Sequence, residues 1–279
     1  MASYKFIRVS LIVILCFLLN VTQAQSSVFT EERILIRPSE FDKEVNLYLL
    51  LGQSNMAGNS PIEAIDTVSN INIWRLNKNS KWDIAKEPLR FDKEIKGMGP
   101  GLTFAKKVYQ SDTTKIIGLI PGAVGGTSID LWKPGAYDSI TRLFPYDEAI
   151  KRTRLAKENG VLKAVLWNQG ESDSYSGKSL NYKAKLKSLI IQLRKDLKNP
   201  DLLFIAGLLP DYQLYPTKDS INKDALEINK AILDLKNELS NFKVIAVKGA
   251  TDKGDQIHYD SKSVRELGKA YAEKYIKNN

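Results

Sequence analysis

The chain has 279 residues, of which 43 % are hydrophobic and 26 % are charged, and its formal net charge is +9 at pH 7. Its basic residues are spread along the chain without a cluster interleaved with aromatic residues, which disfavours nucleic-acid binding and favours a solvated basic surface. A single Cys and a single His exclude an intrachain disulfide and a cysteine–histidine zinc site. A metal would need carboxylate and water ligands, and we expect none.

The first 24 residues have the features of a secretory signal peptide. Lys5 and Arg8 form a positive start, residues 11–19 are apolar but short for a membrane span, and Ala24 ends a plausible cleavage site. The sequence therefore predicts an exported protein, periplasmic or secreted, without stable membrane insertion after cleavage. Residues 25–279 are predicted to form one domain. An uncleaved N-terminal anchor is the alternative. Cys16 lies in the apolar segment, so the mature chain would lack a thiol.

Short apolar runs alternate with helical patterns along the rest of the chain. The runs predict strands over residues 45–51, 115–120, 162–167, 202–208 and 243–247, with a further short strand within 71–76. Helices are predicted over residues 101–110, 146–158, 178–197, 220–239 and 261–277. The polar segment 77–99 is interpreted as a surface excursion near the site. This alternation predicts an α/β fold, a three-layer α/β/α sandwich around a mostly parallel sheet of about five strands.

Four polar or glycine-rich clusters lie where ligands are expected to bind. They cover residues 52–55, 121–128, 168–173 and 255–258, and the first three directly follow predicted strands. In an open α/β sheet, ligands bind beyond the carboxyl ends of the strands, so the clusters should converge on one edge of the sheet. This convergence predicts a functional site there.

Ser54, Asp255 and His258 are the residue types of a nucleophilic triad. His258 is the only side chain whose unperturbed titration falls near neutral pH, so it is the only candidate imidazole base. Ser54 at a strand end would be the nucleophile, and Asp255 would fix the tautomer of His258. The alternatives are a helix N-cap for Ser54 and an ordinary surface or core histidine. The Gly-x-Ser-x-Met pattern disfavours the α/β-hydrolase fold, because the turn that carries the nucleophile in that fold has the sequence Gly-x-Ser-x-Gly.

Other residues of the clusters are candidates for charge stabilisation. Gly125 and Gly126 either let backbone N–H groups approach a substrate oxygen or serve as turn glycines. The Gln169 amide either holds an oxyanion or only bonds a loop. Glu171 and Asp173 are open to interpretation as loop carboxylates, a metal pair or acid partners.

In order and spacing, the clusters resemble the conserved blocks of the SGNH (GDSL-like) hydrolase superfamily. They are most similar to its sialate O-acetylesterase and acetylxylan esterase branch, carbohydrate esterase family 6. The matching blocks are Gly52-Gln53-Ser54-Asn55-Met56, Gly125-Gly126-Thr127-Ser128, Trp167-Asn168-Gln169-Gly170-Glu171-Ser172-Asp173 and Asp255-x-x-His258. The Gly-Gln-Ser-Asn and Gln-Gly-Glu patterns depart from the wider superfamily and point to this branch rather than to GDSL lipases. The resemblance runs from about Val45 to the end of the chain and implies a flavodoxin-like SGNH fold.

The resemblance implies an esterase that removes O-acetyl groups from a carbohydrate through an acyl-enzyme, without a cofactor. Ser54 would be the nucleophile and His258 the general base. Asp255 would be the acid that orients His258, a role that the spacing also favours. Glu171 is the alternative acid, as some descriptions of this branch imply.

The resemblance also implies an oxyanion hole. Its donors would be the backbone N–H of Ser54, the N–H of a glycine of the second block, and the Gln169 amide. Gly125 is slightly preferred over Gly126 as that glycine.

The substrate is expected to be an acetylated carbohydrate, such as acetylated xylan or sialic acid, and the sequence does not choose among them. The candidate sugar contacts are Gln53, Asn55, Trp132 and Tyr175, with Trp74 and Trp82 as further aromatic candidates. For each aromatic residue, packing in the core is the alternative to stacking on a sugar. Two rival functions are an esterase for a non-carbohydrate ester and an inactive carbohydrate-binding relative. The presence of Ser54, Gln169, Asp255 and His258 argues against the inactive relative.

Overall fold

The computed structural model describes residues 34–93 and 97–278, so the predicted signal peptide lies outside the described residues. The chain from Leu35 onward forms one compact unit. Its strands are β1 Leu35–Ile36, β2 Val45–Gly52, β3 Ile73–Leu76, β4 Trp82–Ile84, β5 Ile116–Pro121, β6 Val161–Asn168, β7 Leu203–Gly207 and β8 Phe242–Ile245. Its α-helices are α1 Ser54–Ala57, α2 Gly101–Ser111, α3 Pro145–Ala156, α4 Tyr182–Asp196, α5 Asp211–Leu214, α6 Lys223–Leu235 and α7 Ser261–Ile276.

The described strands form one mostly parallel sheet of eight strands in the order β1-β4-β3-β5-β2-β6-β7-β8. Only β4 is antiparallel to its neighbours, β1 and β3. The prediction of about five strands is therefore wrong in number, although the α/β class and the parallel core of the sheet are confirmed. The strands missed are β1 and β4, which have 2 and 3 residues and are too short to show an apolar pattern.

The central strand β2 divides the hydrophobic core into two layers. Leu47, Leu49 and Leu51 pack into the cluster that includes helices α3, α4 and α6. Tyr48 and Leu50 point to the opposite face and pack into the cluster that includes α2 and α7. Because successive side chains of a strand point to opposite faces, a continuous apolar run is required for burial on both sides. This arrangement is a three-layer α/β/α sandwich.

The five long predicted helices are all present, with ends displaced by a few residues. The largest displacement of a helix start is at α4, which begins at Tyr182 rather than at residue 178. Asn181 precedes it with a φ of +66°, a left-handed conformation that cannot continue a helix toward the N-terminus. Among residues 34–93 and 97–278, no helix combines the length and the apolar composition that a bilayer span requires.

The segment 77–99 is not the simple surface excursion that its polarity predicts. Trp82 belongs to β4 and is buried, as are Ala85, Leu89 and Met98. Arg90 from the same segment is also buried and lines the cavity described below. The segment therefore packs against the core and carries residues to the site.

Candidate active site

Ser54 lies at the carboxyl end of the central strand, where β2 passes into the short helix α1. Gly52, two residues earlier, pairs with Asn168 at the end of β6 and has a φ of +127°. A Cβ at Gly52 would lie 1.9 Å from the Asn168 carbonyl oxygen, so the close approach of the two strands requires glycine. As the first residue of α1, Ser54 has a backbone N–H without an intrahelical acceptor.

Ser54, His258 and Asp255 form a continuous hydrogen-bonded chain. The Ser54 Oγ lies 2.9 Å from Nε2 of His258, and Nδ1 of His258 lies 2.7 Å from Oδ2 of Asp255. Asp255 also accepts hydrogen bonds at its Oδ1 from the backbone N–H groups of His258 and Ile257, at 2.8 and 3.0 Å. The geometry allows Nδ1–H to donate to Asp255 while Nε2 accepts the Ser54 proton.

The Asp255 carboxyl is held in its charged form. Burial raises its pKa, but the hydrogen bonds from His258 and Ile257 outweigh burial and lower the pKa to about 2. The aspartate therefore remains an anion at any pH at which the imidazole is neutral, and it can orient and stabilise the imidazole.

Glu171 is placed against Asn55 rather than against His258. Its Oε1 accepts a hydrogen bond from Asn55 Nδ2, and the same amide donates to the Ile257 carbonyl at 3.0 Å. The Asn55 Oδ1 accepts from the Tyr259 backbone N–H at 3.2 Å. Burial raises the pKa of Glu171 to about 7. This geometry favours Asp255 over Glu171 as the acid partner of His258.

The structure does not place Gln169 where it could donate directly to a substrate. Its side chain is fully buried, and Nε2 donates to Asp173 Oδ2 at 2.6 Å and to the Thr127 carbonyl at 3.0 Å. Its Oε1 accepts from the Tyr182 hydroxyl at 2.9 Å. The expectation that Gln169 supplies an oxyanion donor is therefore not supported, because both ends of its amide are held by buried partners. Its contacts join the second and third motifs.

The two glycines of the second block differ in what surrounds them. The Gly125 N–H donates to Asp92 Oδ2 at 2.9 Å, so this donor is already engaged. Gly126 has a φ of +84°, and a Cβ there would meet nothing within 4 Å. Both residues line the cavity in front of Ser54. Because the Gly125 N–H is engaged by Asp92, Gly126 becomes the stronger candidate for the second oxyanion donor, against the slight sequence preference for Gly125.

A cavity of about 660 Å³ opens in front of the hydrogen-bonded chain, and its lining includes Gln53, Ser54, Asn59, Arg90, Tyr175 and His258. This volume suits a small ligand. Of the four predicted sugar contacts, Gln53 and Tyr175 line the cavity. Tyr175 is about half exposed, whereas Gln53 is buried and accepts from the Ser172 N–H at 3.1 Å.

The other predicted sugar contacts are placed elsewhere. Asn55 is buried behind the His258 loop by the contacts described above. Trp132 is buried in the core, where its Nε1 donates to Thr127 Oγ1 at 3.1 Å. Trp74 and Trp82 are core residues as well. For Trp132, Trp74 and Trp82 the packing alternative is correct, because each indole is enclosed by apolar neighbours.

Two residues beside the triad were missed by the sequence analysis. Asn59 Nδ2 lies 2.9 Å from Nε2 of His258, and Arg90 Nη1 donates to Asn59 Oδ1 at 3.1 Å. Asn59 lies three residues after the end of the first motif at Met56, and nothing in the local pattern marks it. Arg90 lies in the segment that was interpreted as a surface excursion. Within the part of the chain that the structure describes, no group of three or more His, Cys, Asp or Glu residues could hold a metal ion.

Comparisons with known proteins agree on one family. A family model described as carbohydrate esterase, sialic acid-specific acetylesterase matches residues 44–277. A probable carbohydrate esterase of Arabidopsis thaliana is 32 % identical in an alignment 254 residues long, which covers 83 % of this chain and 90 % of that protein.

Solved structures show the same fold. An Arabidopsis thaliana structure, 32 % identical, has a TM-score of 0.73 and covers 84 % of this chain and 98 % of its own. A carbohydrate acetylesterase from Xanthomonas citri, 18 % identical, has a TM-score of 0.60, with 82 % of this chain and 54 % of that chain covered. At that identity the second likeness concerns the fold alone.

Proposed function

Since the chain belongs to the sialic acid-specific acetylesterase family of carbohydrate esterases, we propose that it is a serine esterase that removes O-acetyl groups from a carbohydrate. The observation that carries this proposal is the hydrogen-bonded chain from Ser54 through His258 to Asp255, at 2.9 and 2.7 Å, facing a cavity of about 660 Å³. The chain supplies a nucleophile, a base and an orienting carboxylate without a cofactor.

In the proposed first step, the Ser54 Oγ attacks the ester carbonyl carbon and His258 Nε2 takes the hydroxyl proton. The tetrahedral intermediate places its negative oxygen toward the N–H groups of Ser54 and Gly126. When the intermediate collapses, the bond to the sugar oxygen breaks and His258 returns the proton to that oxygen. The sugar leaves with a free hydroxyl, and Ser54 carries the acetyl group.

In the second step, water attacks the acetyl group on Ser54. His258 Nε2 accepts a proton from the water, the second tetrahedral intermediate forms, and its collapse releases acetate. The proton on His258 then returns to the Ser54 oxygen. Each step uses the same base and the same oxyanion donors, so one arrangement serves both halves of the reaction.

Export is part of the proposal. The positive charge of Lys5 and Arg8, the apolar residues 11–19 and the small residue Ala24 support a cleaved signal peptide. Expression in a bacterial host, fractionation and N-terminal sequencing of the product check it. An intact N-terminus in the cytoplasmic fraction alone would contradict export.

Acetate release from a panel of carbohydrates tests the proposed activity. The panel contains O-acetylated sialic acid, acetylated xylan and an acetylated monosaccharide, with nitrophenyl esters of increasing acyl length beside it. We expect release of acetate from at least one carbohydrate and a preference for acetyl among the nitrophenyl esters. A preference for long acyl chains would indicate the non-carbohydrate alternative. The absence of turnover on every substrate would indicate an inactive relative.

A further inference from the structure

The Nε2 atom of His258 has two hydrogen-bond partners. One is the Ser54 Oγ at 2.9 Å, and the other is Nδ2 of Asn59, also at 2.9 Å. The proposed mechanism uses the first contact and leaves the second unexplained. Asn59 lines the same cavity as Ser54 and His258, so it stands beside the reacting atoms without being part of the triad.

Arg90 fixes which end of the Asn59 amide faces the imidazole. Its Nη1 donates to Asn59 Oδ1 at 3.1 Å and to the Gly58 carbonyl at 2.9 Å. A guanidinium has donors only, so the oxygen of the amide must face Arg90 and the nitrogen must face His258. Arg90 is itself held by Asp92 through two hydrogen bonds, at 2.8 and 2.9 Å, and both side chains are buried.

The orientation of Asn59 has a chemical consequence for His258. An amide NH₂ only donates, so Nε2 must present its lone pair, and the proton of the neutral imidazole must sit on Nδ1. Nδ1–H then donates to Asp255 at 2.7 Å. We propose that Asn59, oriented by Arg90, is a positioning residue that holds His258 in the Nδ1-protonated tautomer, in which the Nε2 lone pair faces both Asn59 and Ser54. This inference rests on the proposed serine mechanism and deepens it.

Asn59 also opposes protonation of the base. Once Nε2 carries a proton, an N–H of the imidazolium and an N–H of Asn59 face each other, and this repulsion favours transfer of the proton to the leaving oxygen. Among the described residues, the charged and titratable groups near the imidazole include Asp255 in direct contact and Lys253 at 3.6 Å from the Asp255 carboxylate. Arg90 lies behind Asn59, and the cavity wall also holds Glu171, Lys93 and Tyr212. Substitution of Asn59 leaves all of these in the chain.

Nitrogen NMR of the imidazole tests the proposal directly, because the protein has one histidine and therefore one pair of ring-nitrogen signals. The samples are the wild type, Asn59→Asp, Asn59→Ala and the control Asn72→Ala, each labelled with ¹⁵N-histidine. Asn72 bonds Tyr109 at 3.0 Å and does not line the cavity. At a pH where the wild-type imidazole is neutral, its Nδ1 should give the signal of a protonated nitrogen and its Nε2 that of an unprotonated one.

In Asn59→Asp, a carboxylate replaces the amide that donates to His258, and it accepts a hydrogen bond instead. Nε2 should therefore become protonated and give the signal of a protonated nitrogen. We expect kcat to fall on the order of a hundredfold with little change in KM, since a protonated Nε2 cannot act as base. In Asn59→Ala, we expect a smaller loss of kcat. The acidic limb of kcat/KM should move to higher pH, because without the Asn59 N–H the His258 imidazole is protonated more easily. Asn72→Ala should match the wild type.

Unchanged nitrogen signals in both folded Asn59 variants, with folding checked by circular dichroism, would overturn the proposal. A rise in KM with unchanged signals would also overturn it and would make Asn59 a substrate contact. The NMR readout needs no turnover, so it is independent of the proposed function. If Ser54→Ala remained active while Asn59→Asp altered the tautomer, the serine mechanism would fail and the role of Asn59 would stand.

Discussion

Glu171 reaches the backbone around His258 through Asn55. The Asn55 amide binds the Ile257 carbonyl and the Tyr259 N–H, the residues before and after His258, while its nitrogen also donates to Glu171. Asp255, in contrast, contacts the imidazole itself. The two candidate carboxylates therefore differ in position: Asp255 contacts the ring of His258, whereas Glu171 contacts the side chain that binds the loop carrying this ring.

This difference predicts the ranking of two isosteric substitutions. Asp255→Asn removes the charge that fixes the tautomer of His258, and we expect kcat to fall by roughly 10³- to 10⁴-fold. Glu171→Gln retains an acceptor for Asn55, so its loss should be at least tenfold smaller. Steady-state kinetics on nitrophenyl acetate measures both. A greater loss in Glu171→Gln would transfer the acid role to Glu171.

Acidification should abolish activity through His258 rather than through a carboxylate. Asp255, with its pKa near 2, stays charged while the imidazole becomes protonated. Burial raises the pKa of Glu171 to about 7, so this carboxyl changes its charge near neutral pH. The acidic limb of kcat/KM should therefore persist in Glu171→Gln and follow the NMR titration of the single imidazole. Disappearance of the limb in Glu171→Gln would show that Glu171 controls it.

The burial of Glu171 should make stability depend on pH. Its pKa is raised from 4.5 in the unfolded chain to about 7 in the folded protein, so the folded state binds more protons between these values. The free energy of unfolding should then decrease as pH rises from about 4.5 to about 7, on the order of 2–3 kcal/mol from this group alone. Urea unfolding of the wild type and of Glu171→Gln at several pH values measures this contribution as the difference between their slopes. Equal slopes would contradict it.

Ser54→Ala should remove hydrolysis while leaving the fold intact. The loss in kcat should be a thousandfold or more, on the order seen when one member of a triad that acts as a unit is deleted. Ser188→Ala is the matched control, because Ser188 is exposed on α4 and does not line the cavity. Active-site titration with a fluorophosphonate should label the wild type and the control but not Ser54→Ala. Near-normal turnover by Ser54→Ala would refute the mechanism.

Activity should be insensitive to chelators, because Ser54, His258 and Asp255 supply the nucleophile, the base and the orienting charge of the proposed reaction. Dialysis against EDTA, followed by the acetate-release assay, measures this. A loss of activity that a divalent ion restores would mean that the serine mechanism is incomplete.

The fold was largely predictable because its central strands are buried on both faces. β2, β5 and β6 each need a continuous apolar run, and such runs are visible in the sequence. The segment 77–99 was not predictable, because its burial depends on packing rather than on a periodic pattern. Trp82 lies in β4, which has three residues and cannot display a repeat.

For the site, the sequence was informative where residues follow strand ends. Parallel pairing brings Gly52 beside Asn168, so the first and third motifs meet as their order predicts. Chemical type alone could not separate residues facing the cavity from those behind it. Gln169 and Asn55 have the same amide group as Asn59, yet only the tertiary fold determines which of the three touches the imidazole.

The proposed nucleophile and the proposed base are 204 residues apart in the chain, with Ser54 after the first long strand and His258 before the last helix. Their contact is therefore among the most non-local in the molecule, and such contacts form late because closing a long loop is entropically costly. Hydrolysis should consequently be acquired only when synthesis and folding are complete. Two fragments divided at any loop between Ser54 and Asp255 would each be inert, and recovered turnover on mixing them would report their reassembly.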